Sequence, residues 1–159
     1  MKEDKTQVMR ALDKAKVSYG TAFYDANDGQ IDGVSVAHKI GADPAIVYKT
    51  LLTRANDLSI CVCVLPVEHE LDLKKAARAH GKKSLSMLPV SELLSVSGYV
   101  RGGCSPLYMK KRFSTVINES ARSFPGIYVS AGRIGAQILI DPAVLATLAG
   151  AVFADVVQP

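Results

Sequence analysis

The sequence predicts one α+β (mixed α/β) domain, a mixed β-sheet flanked by helices, and two observations carry that expectation. Segments of strand character outnumber helical ones, and their order is irregular rather than alternating, which favours a mixed sheet over a doubly wound fold. The chain has 159 residues, 48% of them hydrophobic and 21% charged, enough for one full core and too few for two comfortable ones. A closed or nearly closed sheet would remove exposed edges. No internal repeat, low-complexity tract or linker divides residues 1–159.

The elements follow in order. Thr6 to Lys16 places Val8, Ala11, Leu12 and Ala15 at helical spacing behind Thr6 as an N-cap. Val17 to Tyr24 mixes β-branched and aromatic residues and reads as a strand, ending in a polar, turn-rich loop, Asp25 to Gly33, expected to be mobile. Ser35 to Ile40 is a short helix stopped by Gly41, and Asp43-Pro44 supplies the cap and first residue of another. Tyr48 to Thr53 and the apolar run Leu58 to Leu65 flank Asn56-Asp57 and read as a hairpin whose second strand is buried on both faces. Glu70 to His80 is a surface helix with a basic side, stopped by Gly81, and Pro89 opens a short helix over Val90 to Leu94. Ser114 to Asn118, Gly126 to Ser130 and Ala136 to Ile140 read as strands, the last two joined by the short glycine loop Ala131 to Gly135. Asp141-Pro142 starts a helix that runs to Leu148, Gly150 stops it, and Val152 to Val157 makes a last strand.

Lys and Arg number 19 against 15 Asp and Glu, a net charge of +4, which permits a polyanionic partner without requiring one. Met1-Lys2-Glu3-Asp4-Lys5 is charged, and no stretch approaches the ~18 apolar residues of a membrane span, so a cytoplasmic protein with no membrane partner is expected. Three cysteines argue against a disulfide framework. Cys61 and Cys63 share one face of a strand and read as core thiols; with His38, His69 and His80 at no ligand spacing, neither metal nor cofactor is expected.

Two features carry chemistry. Ser97 to Arg112 holds three glycines and a proline between Gly98 and Pro106 and runs straight into Lys110, Lys111 and Arg112. Such a loop exposes backbone N–H groups beside positive charge and suits a phosphate or a developing oxyanion; a tight turn ahead of a solvated basic strand end explains the same residues. Lys49 stands in a half-buried strand, where its ammonium must snorkel to water or meet an anion.

Tyr48-Lys49-Thr50-Leu51-Leu52, Leu71-Asp72-Leu73-Lys74-Lys75, Gly98-Tyr99 with Gly102-Gly103-x-Ser105-Pro106-Leu107, Lys110-Lys111-Arg112 and Ile127-Tyr128-Val129-Ser130 together resemble the YbaK/EbsC family over nearly the whole chain. The resemblance implies a mixed α/β barrel-like domain, related to the editing insertion of bacterial prolyl-tRNA synthetases, whose cleft takes the aminoacylated 3′ end of tRNA. It implies hydrolysis of a mischarged aminoacyl ester, Cys-tRNA(Pro) in the YbaK branch, with prolyl-tRNA synthetase as a partner. Lys49 matches the family lysine that holds the terminal phosphodiester or adenosine, and Tyr24, Thr50, Ser105, Ser130 and Asp141 match substrate-binding positions around the pocket. Asp141 is explained equally by its N-cap role. Backbone donors at Gly102 and Gly103 are expected to stabilise the oxyanion. No histidine or carboxylate in the motifs must act as a base, in keeping with a route in which the cysteinyl thiol or a ribose hydroxyl takes part; a positioned water is the other nucleophile.

The chain departs from the family pattern at Cys104, at Tyr108-Met109, at Ala131 and at Asp25-Ala26. These bear on which amino acid is cleared and leave alanine as the alternative to cysteine. A non-catalytic module that binds tRNA or a nucleotide, and a cysteine hydrolase built on Cys104, are the competing readings; the second lacks a histidine in the motifs to activate the thiol.

Overall fold

A computed structural model describes residues 4–159, so Met1, Lys2 and Glu3 of the charged terminus lie outside the described residues. In chain order the elements are α1 (Gln7–Lys14), β1 (Gly20–Phe23), α2 (Gly33–Lys39), β2 (Tyr48–Ala55), β3 (Ile60–Pro66), α3 (Leu73–His80), β4 (Leu85–Met87), α4 (Val90–Ser97), β5 (Ser114–Asn118), β6 (Ile127–Ser130), β7 (Ala136–Ile140), α5 (Pro142–Ala149) and β8 (Val152–Ala154). Single 3-10 turns occupy Pro44–Ile46 and Glu119–Ser123. No helix of the described residues is long and apolar enough to cross a membrane.

The helix starts obey capping chemistry. Thr6, Asp32, Asp43, Asp72 and Asp141 each accept a backbone N–H of the first turn that follows. Asp32 caps α2 by accepting the Ser35 N–H at Oδ2, so the helix starts at Gly33, two residues earlier than the sequence suggests. Strand β4 and the turn at Glu119–Ser123 carry too short a pattern to be read from periodicity.

The strands form two sheets. Five pair in the order β4-β2-β3-β5-β8 and three in the order β1-β7-β6. β3 pairs antiparallel with β2 and parallel with β5, so the sheet is mixed as expected. The barrel-like closure is not: among the described residues the strand pairing between the sheets is one isolated bridge, Val47 to Tyr128, and no closed barrel forms. Edges are limited by length instead, since the outer strands β4 and β8 have three residues each.

Alternation along β3 builds both layers of the core. Val62 and Val64 face the space between the sheets, packed with Leu12 of α1, Ile117, Ile138 and Leu145. Cys61, Cys63 and Leu65 face the other way, under Ala76 and Ala77 of α3. Both thiols are free and buried, as core cysteines should be.

His80, at the end of α3, ties this second layer together. Its Nδ1 lies 2.7 Å from Ser114 Oγ and its Nε2 3.5 Å from Cys63 Sγ. Burial pushes the Cys63 thiol up to about 12 and holds the His80 imidazolium below its ordinary 6.5. The folded state thus favours the neutral ring: its contribution is fully present above about pH 6.5 and is lost as pH falls through the lower folded value. The thermal midpoint of the wild type should therefore drop between about pH 7 and about pH 5, and drop less in His80→Gln. Equal drops measured by calorimetry would assign the titration to other groups.

Candidate active site

The first half of β2 is open on one side. β4 pairs only with Thr53 to Ala55, so Tyr48 to Leu51 have β3 on one flank and nothing of the sheet on the other. A cavity of about 930 Å³ occupies that flank, and all five residues from Tyr48 to Leu52 line it. The smaller sheet closes the far side with Tyr24 at the end of β1 and with Ser130 and Gln137, which are cross-strand partners on β6 and β7. Arg101, Gly102 and Cys104 of the long glycine loop and Ile31 to Val34 complete the wall.

The loop Asp25 to Gly33, expected to be mobile, is tied down. Lys39 Nζ of α2 donates to Asp25 O (2.7 Å), Asp28 Oδ1 (2.7 Å) and Gln30 O (3.0 Å), and sits 5.9 Å from the centre of the Tyr24 ring. The same lysine thus holds the loop and the tyrosine on one side of the cavity.

Three buried side-chain polar atoms have no hydrogen-bond partner among the described residues: Tyr24 OH, Thr50 Oγ1 and Gln137 Oε1. All three residues line this one cavity. Buried polar groups are paired in the great majority of cases, and an orphan costs about 1–3 kcal/mol, so three around one space mark it as built for polar company. Lys49 and Arg101 add two cations. Of the two carboxylates on the wall, Asp32 is engaged at the start of α2, where Ser35 Oγ and N–H both donate to it and hold its pKa below the ordinary carboxylate range. Glu70 stands exposed at the rim. Among the described residues no group of three His, Cys, Asp or Glu is placed to hold a metal ion.

Of the residues singled out in the sequence, the structure brings Tyr24, Lys49, Thr50, Gly102 and Ser130 together on the cavity wall. It gives three others different work. The Gly103 N–H donates to Val100 O at 2.9 Å, and an added Cβ there would meet the backbone of Arg133 and Ile134 at 3.0–3.3 Å; this glycine is required by packing, and its N–H is already used. The buried Ser105 accepts from Leu107 N–H and shapes the loop from within. Asp141 accepts from Ala143 and Val144 at the start of α5. Neither lines the cavity. The pair of glycine donors expected for an oxyanion thus reduces to Gly102. Gln137 and Arg101 escaped the sequence reading, although a glutamine in the apolar run Ala136 to Ile140 is the same anomaly as Lys49 in its strand.

Cys104 lines the cavity, 8% exposed, and burial pushes its thiol up to about 12. The imidazole of His80 meets Cys63 instead. A thiol so placed is neutral and no nucleophile at neutral pH.

Comparison with known proteins agrees with this architecture. Residues 32–148 match the family described as the aminoacyl-tRNA editing domain. The chain is 38% identical over 154 residues to a protein of Enterococcus faecalis (strain ATCC 700802 / V583) named as a candidate Cys-tRNA(Pro)/Cys-tRNA(Cys) deacylase, EbsC, covering 97% of this chain and 94% of the relative. Among solved structures, the hypothetical protein APE2540 superposes at a TM-score of 0.86 with 21% identity, covering 96% of this chain and 100% of that one. A candidate trans-editing enzyme for prolyl tRNA synthetase superposes at 0.82 with 20% identity, covering 98% and 100%. These two share the fold. The mixed two-sheet domain is the fold of these structures, and the family match makes it an aminoacyl-tRNA editing domain. The chain belongs to the aminoacyl-tRNA editing domain family.

Two substitutions probe the cavity. Thr50→Val removes an unpaired buried hydroxyl at nearly constant volume, so the thermal midpoint should rise by about 2–4 °C while turnover falls; a lower midpoint would show that the hydroxyl is satisfied in the folded state. Cys104→Ala should keep most of the turnover, and the wild type should resist thiol alkylation; loss in both tests would restore the thiol as nucleophile.

Proposed function

We propose that the chain is a trans-editing deacylase that hydrolyses the ester of mischarged tRNA(Pro), Cys-tRNA(Pro) before Ala-tRNA(Pro), acting in the cytoplasm with prolyl-tRNA synthetase lending tRNA selection. The observation that carries this reading is the trio of unpartnered polar atoms, Tyr24 OH, Thr50 Oγ1 and Gln137 Oε1, around a cavity that also holds Lys49 and Arg101. The names of the relatives point the same way.

An aminoacyl ester is already activated, so the protein has mainly to position it. Lys49, engaged by no hydrogen bond or ion pair among the described residues, takes the terminal phosphate or ribose as a compact cation. Thr50, Tyr24, Ser130 and Gln137 supply donors and acceptors for the terminal nucleoside and the amino acid. Gly102 N–H meets the oxyanion as the carbonyl becomes tetrahedral. With Asp32 committed to a helix cap and Glu70 out at the rim, no buried carboxylate faces the carbonyl, which favours attack by a group of the substrate or by a held water. The carbon–oxygen ester bond then breaks and the terminal ribose hydroxyl leaves with the proton taken from the nucleophile, giving the free amino acid where water attacks and a cyclic thioester, opened afterwards by water, where the substrate's thiol attacks.

The test is release of labelled amino acid from Cys-tRNA(Pro), Ala-tRNA(Pro) and Pro-tRNA(Pro). Cys-tRNA(Pro) should turn over, Pro-tRNA(Pro) should be spared, and Lys49→Ala should lower kcat/KM by about 10- to 100-fold, the worth of one charge-assisted hydrogen bond. Turnover of none of the three would leave a module that only binds the nucleotide end.

A further inference from the structure

The glycine loop that walls the cavity has a second side. Arg101, Gly102 and Cys104 face the cavity, whereas Gly98, Tyr99, Tyr108 and Lys110 of the same loop line a separate groove of about 720 Å³. The shorter glycine loop divides likewise: Ser130 belongs to the cavity, Ala131, Gly132 and Arg133 to the groove. Neighbouring residues of the same two loops thus wall both spaces, which lie on either side of them.

The groove is basic. Lys5, Arg10, Lys110 and Arg133 line it against one carboxylate, Asp4. Lys5 pairs with Asp13 in an exposed bridge and Arg133 Nη2 donates to Asp4 O at 2.8 Å, while Lys110 Nζ reaches the neutral Ser95 O at 3.3 Å, a contact that leaves its charge for a ligand. Tyr108 is half exposed on the wall, at φ 59°, a conformation that glycine adopts freely and tyrosine does not. A basic track with an outward aromatic is the chemistry that binds single-stranded nucleic acid: cations for phosphates, a ring for base stacking.

We propose that this groove holds the unpaired nucleotides just before the aminoacylated one, with Arg10 and Lys110 on their phosphates and Tyr108 against a base. The inference rests on the editing reading of the cavity, since the groove's place beside it is what identifies the occupant. It makes the separating loops a saddle over which the RNA 3′ end passes: the terminal nucleoside and amino acid on one side, the preceding single strand on the other.

Two substrates and one ligand test it. The variant Arg10→Ala/Lys110→Ala should lower kcat/KM on mischarged tRNA by tenfold or more and leave turnover of the 2′(3′)-O-aminoacyl-adenosine unchanged, because that fragment ends inside the cavity. On tRNA, the slope of log kcat/KM against log salt should become shallower by about 1.4, two single-strand phosphate contacts. Binding of an uncharged four-nucleotide RNA ending in CCA, followed by fluorescence anisotropy, should weaken at least tenfold in that variant and also in Tyr108→Ala. Equal effects on tRNA and on the adenosine fragment, or unchanged affinity for the oligonucleotide, would overturn the groove assignment. Failure of the wild type to hydrolyse either substrate would overturn the editing reading instead, with the oligonucleotide still deciding the groove.

Discussion

The contact on which the site depends is the seating of one glycine loop on another. At Gly103 an added Cβ would stand 3.0 Å from Ile134 N and 3.2 Å from the carbonyl carbon of Arg133, so backbone rests on backbone and neither can yield cheaply. The long loop is also stapled from within: Tyr99 OH donates to Leu107 O, Ser105 Oγ accepts from Leu107 N–H, and Ser97 O accepts from Lys110 N–H. Burial pushes the Tyr99 phenol up to about 12, so the hydroxyl keeps the proton it donates. A loop without regular structure is thereby held as firmly as a strand, and Gly102, Arg101 and Cys104 are presented to the cavity in fixed positions.

The opposite wall is fixed by a different economy. β3 buries both faces and leaves β2 no freedom of register, since a slip of one residue would exchange Val62 and Val64 for Cys61 and Cys63 across the sheet. β2 therefore carries Lys49 and Thr50 to one place, and the shortness of β4 leaves their flank open. The cavity is the gap that an incomplete strand pairing leaves, with the smaller sheet held against it by the shared core and by the bridge at Val47 and Tyr128. An unbroken barrel would have filled that gap with a paired strand.

Much of this was legible from residue order alone. The capping aspartates, the apolar run of β3 and the strands Ser114–Asn118 and Ala136–Ile140 are local signals with local causes, and the structure keeps them. What was not legible is what two distant segments do to each other. Gly103 looks like an exposed donor in sequence, yet its N–H is spent on Val100 and its missing side chain on Ile134. Ser105 and Asp141 look like binding groups, and their hydrogen bonds close within two or three residues. Gln137 is an anomaly in its apolar run, but only the fold sets Ser130 across from it and leaves its acceptor without a donor.

The three orphans also say where the selectivity of the site comes from. In the folded protein Tyr24 OH, Thr50 Oγ1 and Gln137 Oε1 make no protein hydrogen bond, and folding offers no local compensation for their burial. Against a total stability of order 5–15 kcal/mol, a core position would not keep three such groups when Phe, Val and Leu fit the same space. A ligand that completes all three gains what the fold forgoes, and one that lacks a matching group leaves a buried atom unpaired. Sites of that kind discriminate by missing hydrogen bonds far more sharply than apolar walls discriminate by a methylene. Under the proposed function the polar trio answers to groups of the aminoacylated 3′ end, and Leu52, Leu88 and Cys104 give the same wall an apolar part.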